Sequence, residues 1–271
     1  MPGAATHGAG GLTNHRRMRC APLFALSLIA ACGGADPAAA PDAAAPDGAL
    51  APDAAAAPDA APDAAIAPGC PHGSRVVYLN TGGGTFSPAT NDDSSTNASQ
   101  IVRADATLPG WANGPAEIAA LEACLATNFA RYDVRFTRID PGAAEHVEVV
   151  LTDSTSHPGL PYSGNWPVAT PFSDADCAPI RRAIVIARPA FVASTADLCV
   201  AVSFGIAGAH GLDRIYNAAS LMSVLAGTGP RSFLDSPEPC GDFAPRTCRC
   251  GGDTQNSHQR LIERLGACPA P

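Results

Sequence analysis

The sequence predicts an α+β domain. Three observations point to it: one long run with apolar residues at helical spacing, opened by proline; several short runs rich in β-branched residues; and their order, strand, long helix, several strands, helix, turn, helix. The domain is read as residues 70–271 of the 271-residue chain, an ordinary length for one domain.

The elements follow in order. "RVVYLNT" from Arg75 is an apolar strand, and Gly82-Gly83-Gly84 after it is a turn. That glycine run has no Lys-Ser/Thr behind it, so it is not read as a phosphate loop. Asp92-Asp93 in "NDDSSTNAS" is read as a solvated pair rather than a calcium site. From Pro115, Ile118, Leu121, Leu125 and Phe129 recur at helical spacing. "VRFTRID" from Val134 and "HVEVVLTD" from His146 alternate polar and apolar residues and read as half-buried strands. A long loop from Ser156 to Cys177 carries Tyr162 and Trp166, and "RRAIVIA" from Arg181 is a further strand. "LCVAVSFGIAGAH" from Leu198 is a helix of small residues closed by Gly211. "DTQNSHQRLIERLG" is a last helix, capped by Asp253 or Thr254 and stopped by Gly266.

The front of the chain addresses location. Arg16, Arg17 and Arg19 precede a short apolar run to Ala31, so residues 1–31 read as an export signal, too short to span a bilayer. Ile29-Ala30-Ala31-Cys32 resembles a bacterial lipobox, which makes Cys32 the acylated anchor and the membrane a partner through lipid. Residues 32–69 form a Pro/Asp/Ala-rich tether with no aromatic residue, unable to offset the entropy of ordering. Extended, it would reach on the order of 100 Å. The expected location is an outer membrane or cell surface. A formal charge of −8 with no lysine excludes nucleic acid as a partner.

Eight cysteines, from Cys70 to Cys268, fall in the domain, and an even count in an exported chain reads as disulfides. Cys177 and Cys199, flanking "AIVIA", are the candidate pair; Cys248 and Cys250 are too close to bridge each other.

"SFGIAGAHGLDR" with "SLMS" behind it, together with "VVYLNTGGG", "YDVRFTRIDPG" and "TQNSHQRLIERLG", resembles the metzincin branch of zinc metallopeptidases, in particular secreted metzincin-like proteins of myxobacterium-type bacteria. The resemblance runs from about Arg75 to Gly266. It implies a twisted, mainly parallel sheet with an edge strand, a long helix, an active-site helix, a Met-turn containing Met222, and a C-terminal helix. The family's HExxHxxGxxH signature, laid with its glycine on Gly211, puts the ligands at Phe204, Gly208 and Arg214 and the general base at Gly205. Zinc needs neutral imidazoles and an open position, and the base must be a carboxylate. None of these four residues supplies either.

The expectation is therefore a lipoprotein whose metzincin-like domain has no cofactor and no peptidase activity, and whose ancestral cleft between edge strand and helix binds a peptide or protein. The competing reading is a hydrolase with a relocated metal site drawn from His210, Asp213 and a distant histidine. No two of His72, His146, His157, His210 and His258 have ligand spacing. His210 reads as a polar residue at a helix end, favoured there by the dipole. Ser203 lacks a nucleophile elbow, and Glu145, Glu148 and Asp153 read as solvated or edge charges.

Overall fold

Strand β1 (Arg75–Asn80) is followed by β2 (Gly83–Pro88), β3 (Ala98–Ser99), β4 (Ala106–Pro109) and helix α1 (Pro115–Asn128) in a computed structural model of the chain. Next come β5 (Val134–Thr137), β6 (Val147–Leu151), β7 (Val168–Ala169), β8 (Ile184–Ala187) and helix α2 (Thr195–Ala209). The chain closes with β9 (Glu238–Gly241), β10 (Pro245–Arg246), β11 (Thr254–Gln255) and α3 (Ser257–Leu265). The structure describes residues 70, 72–155, 160, 166–172, 177–227 and 229–269. The export signal, Cys32, the tether, His157 and Tyr162 lie outside the described residues.

The fold is mixed α and β around a mostly parallel five-stranded sheet in the order β5-β1-β6-β8-β7. The first four strands run parallel, and β7 closes the row antiparallel to β8, Val168 opposite Ala187. Both faces of the sheet are covered. Val77, Leu79, Val149, Leu151 and Val185 join the helices in one core, whereas Val150, Ile184 and Ile186 pack with Phe86, Ala106 and Leu108 under the small sheet β3-β2-β4. This double covering corrects the expectation of half-buried alternation for β6, all five of whose residues are buried. An inner parallel strand has no solvent face, so its residues are buried whichever way they point. β3, β7 and the start of β2 lie where loops or turns were expected, Gly83 opening β2 rather than lying within a turn. There a side chain would run into the Leu108 carbonyl, at a φ of 73°.

Helix α1 begins at Pro115 and buries Leu121 and Leu125, as the spacing requires. Helix α2 starts earlier than its apolar run, at the Ser194 cap, whose hydroxyl accepts from the Asp197 N–H. It ends in a Schellman arrangement: Gly211, at φ 82°, donates to the Gly208 carbonyl and Leu212 to the Ala207 carbonyl. For α3 the cap is Asn256, accepting from the Gln259 N–H at 2.8 Å, and not Asp253 or Thr254. Thr254 is instead taken up by β11, which pairs with β9.

Four disulfides tie the elements: Cys70 with Cys268, Cys124 with Cys199, Cys177 with Cys250, and Cys240 with Cys248. The expected pairing of Cys177 with Cys199 is thus corrected. Cys199 faces α1 from the middle of α2, while Cys177 lies beside the Gly211 turn, where its carbonyl would be the first atom met by a side chain on that glycine. The bridges are compatible with an extracytoplasmic location. Among the described residues no helix is long and apolar enough to cross a membrane.

Candidate functional site

Helix α2 presents three faces. Leu198, Val202 and Ile206, four residues apart, are buried in the core, each contributing about 2 kcal/mol by burial. Gly205 and Gly208 lie against the edge of the sheet. A Cβ on Gly205 would stand 2.6 Å from Val185 Cγ1 and 2.8 Å from Val168 Cγ2, and one on Gly208 would stand 3.1 Å from Thr170 Cγ2. Thr170 also donates its hydroxyl to the Gly205 carbonyl at 2.8 Å, fastening the strand end to the helix. The third face, through Val200 and Phe204, borders a groove of about 410 Å³.

Across from α2 the groove is walled by Trp166 and Val168, with Arg214 and Arg231 on its lining. β7 forms this wall as the last strand of its sheet, and no strand pairs with its outer side among the described residues. Arg188 steadies the wall, donating through Nε to the Trp166 carbonyl at 3.1 Å. A second hollow of about 320 Å³, more polar and lined by Arg103, Phe172 and Arg249, shares Thr170, Phe204 and Arg214 with the first.

Of the positions that the resemblance assigns to zinc chemistry, Phe204 and Arg214 line both hollows, Gly208 lines the second only, and Gly205 faces Val185 and Val168 instead. The Arg214 guanidinium lies 5.9 Å from the Phe204 ring centre and 5.6 Å from that of Trp166, and donates to Asp242 at 2.9 Å. It is a stacked, paired cation. Neighbouring Asp213 is buried and takes both guanidinium nitrogens of Arg246, at 2.6 and 2.7 Å, plus the Arg249 N–H at 2.8 Å. Burial alone would raise its carboxyl, but the Arg246 hydrogen bonds and those from the Arg249 and Arg214 backbones outweigh it and hold it below the usual value. Met222 is fully buried, its N–H donating to Ser220 Oγ at 3.0 Å and its carbonyl accepting from Ile215.

These residues do not fit a zinc ion. A phenyl ring, a hydrogen and a paired guanidinium stand at the three positions that the resemblance assigns to ligands, and Gly205 has no room for a carboxylate side chain unless β7 and β8 move. Among the described residues, one group of three potential ligands clusters, Asp213, Cys240 and Cys248, but its sulfurs are joined to each other and its carboxylate is held by Arg246. His210 lines a different cavity, with Arg75, Arg181 and Arg264, and does not join Asp213. It stands at the C-cap of α2, as expected, but burial, with the charges of Arg75, Arg181 and Arg264, lowers its pKa to about 4, so a positive imidazole is disfavoured there.

The other candidates are placed as structure. Ser203 is buried and receives the Asn128 side-chain amide at 3.0 Å. Glu145 pairs with Arg75 at the surface, and Asp153 accepts from the Ala112 N–H. Glu148 corrects the expectation of a solvated charge: on the inner strand β6 it is buried, accepts from Asn80 at 2.7 Å, and has its pKa raised by burial to about 7. Asp92 is likewise buried, fastening its loop to β8 through the Ile184 N–H at 2.7 Å and to the Gln100 N–H. Sequence reasoning missed Trp166 as a partner of Arg214 and Arg246 as the partner of Asp213. No spacing links residues brought together from separate loops.

Comparison of the chain with protein-family models, with curated proteins and with solved structures returns no match in any of the three.

Proposed function

We propose that this is an exported lipoprotein, anchored through Cys32, whose metzincin-like domain binds an extended peptide segment without cleaving it. The observation that carries the reading is the groove beside α2, bounded by the unpaired side of an edge strand and lined by Trp166, Val200 and Phe204. An extended peptide laid along β7 would continue the sheet by main-chain hydrogen bonds and place an apolar side chain against Phe204. That mode of binding needs no metal. The metzincin-like assignment is supported by the arrangement of parallel strands, antiparallel edge strand and adjoining helix, with Met222 in a buried turn after it. The loss of peptidase activity is supported by Phe204, Gly205, Gly208 and Arg214 at the positions of ligands and base.

A library of extended peptides screened against the full chain tests the reading. Binders are expected, their sequences intact after incubation, and Val200→Arg, which sets a charge on the groove wall, is expected to weaken binding by about tenfold or more. Absence of any binder, or binding indifferent to Val200→Arg, would sink the groove assignment. Cleaved peptides would sink the non-catalytic one.

A further inference from the structure

On the side of the domain where β1 and β6 begin, a cavity of about 80 Å³ is lined by Arg75, Arg181, Arg264, Glu145, His146 and His210. Three guanidinium groups facing one hollow are unusual in a chain of formal charge −8. One carboxylate offsets them: a single oxygen of Glu145 accepts from Arg75 at 3.1 Å and from Arg181 at 3.5 Å. Asp133, bonded to Ser74 on the lining, is taken by the Ser74 N–H and hydroxyl. His146 spends its Nδ1 on the Ala144 carbonyl at 2.8 Å.

Two polar atoms remain without a partner. His210 is 5% exposed, and its Nδ1 has no hydrogen bond; the buried Nε of Arg264 has none either. A buried donor left unmade costs about 1–3 kcal/mol, so both atoms call for a partner. A water, whose share of liquid is about 30 Å³, would fit the space but would leave the positive excess unanswered. An anion answers both needs. The C-terminal end of α2, at His210, opposes it with a partial charge of about half a unit, less than the excess of arginine over carboxylate. The pKa of His210 is lowered chiefly by burial and further by the charges of the same three arginines, so its imidazole is neutral.

We infer that this cavity binds a small tetrahedral oxyanion of the phosphate or sulfate class, held by Arg75, Arg181, Arg264 and His210. The guanidinium forks suit oxyanion geometry, and the neutral imidazole has a nitrogen available to donate. The site is separate from the peptide groove, with which it shares no lining residue.

The test is calorimetric titration of the full chain, disulfides intact, with sodium sulfate and inorganic phosphate, against sodium chloride at matched ionic strength. Saturable binding of sulfate and phosphate over chloride is expected. Arg264→Gln is expected to weaken it by about tenfold or more. Arg135→Gln, an exposed arginine that does not line the cavity, is expected to leave it unchanged. In the wild-type chain, NMR signals of the His210 ring are expected to shift with sulfate while those of His258 stay, which reports on the site even if Arg264→Gln folds poorly. Binding no stronger than that of chloride, or binding with the His210 signals unmoved, overturns the inference. Glycerol phosphate separates the sources within it: equal affinity assigns the site to a phosphoryl group on a larger molecule, and much weaker affinity to the free ion.

Discussion

Arg214 stands between two aromatic rings and a carboxylate, at the point where the two hollows beside α2 join. A guanidinium in that setting stacks on flat groups and repels a divalent cation. Phe204 beneath it turns the groove apolar. The spacing of both residues from Gly211 was legible in the sequence, because the helix and its cap fix it. What they contact was not legible, since Trp166 and Asp242 approach from distant loops. Glu148 shows the same limit: alternation in "HVEVVLTD" marks it as polar, but only the neighbouring strands bury it. Its titration gives a sign that can be checked. The folded pKa of about 7 lies above the ordinary 4.5, so between these values the unfolded chain has released a proton that the folded chain keeps. Stability from this group is full below about pH 4.5 and is lost as pH rises through about 7, a change on the order of 3 kcal/mol. Glu148→Gln, which cannot ionise and retains an oxygen for Asn80, is therefore expected to melt above wild type at pH 8 and close to it at pH 5. Equal melting temperatures at pH 8 would remove the buried carboxyl from the account.

Helix α2 and strand β7 work as a pair. Gly205 lets the helix backbone approach the edge of the sheet, and Thr170 fastens the contact with a hydroxyl. Gly205→Ala is expected to lower stability by about 1–3 kcal/mol through overpacking against Val185 and Val168. A neutral effect in denaturant titration would show the strand yielding, and with it room for a larger side chain. Long elements were readable from periodicity: α1, the core of α2 and the strands at Arg75, Val134, His146 and Arg181 all fall where the pattern puts them. Short ones were not. β7 spans Val168–Ala169 within a proline-rich loop and carries no period to detect. The cap of α2 did leave a signal, Ser194 with Asp197 three residues on, a capping-box spacing overlooked beside the apolar run. Cysteine pairing depended on which way α2 faces α1, which sequence neighbours do not encode.

At the scale of the molecule, a buried parallel sheet carries two hollows of opposite character. A largely apolar groove lies along its edge strand, and a positive cavity lies where β1 and β6 begin. Four disulfides hold the connections that shape both, Cys177 to Cys250 beside the Gly211 turn and Cys124 to Cys199 across the helices. The longest closed loop, from Cys70 to Cys268, would remove on the order of 5 kcal/mol of unfolded-chain entropy. Such a scaffold holds the groove in shape through covalent bridges between its elements. The most direct measurement is the zinc content of the full chain, disulfides intact, after incubation with excess zinc and dialysis. The account predicts far less than one ion per chain, because Phe204, Gly208 and Arg214 offer no ligand and the Asp213 carboxylate is held by Arg246. Close to one tightly held zinc per chain would contradict it and return a metal to the groove.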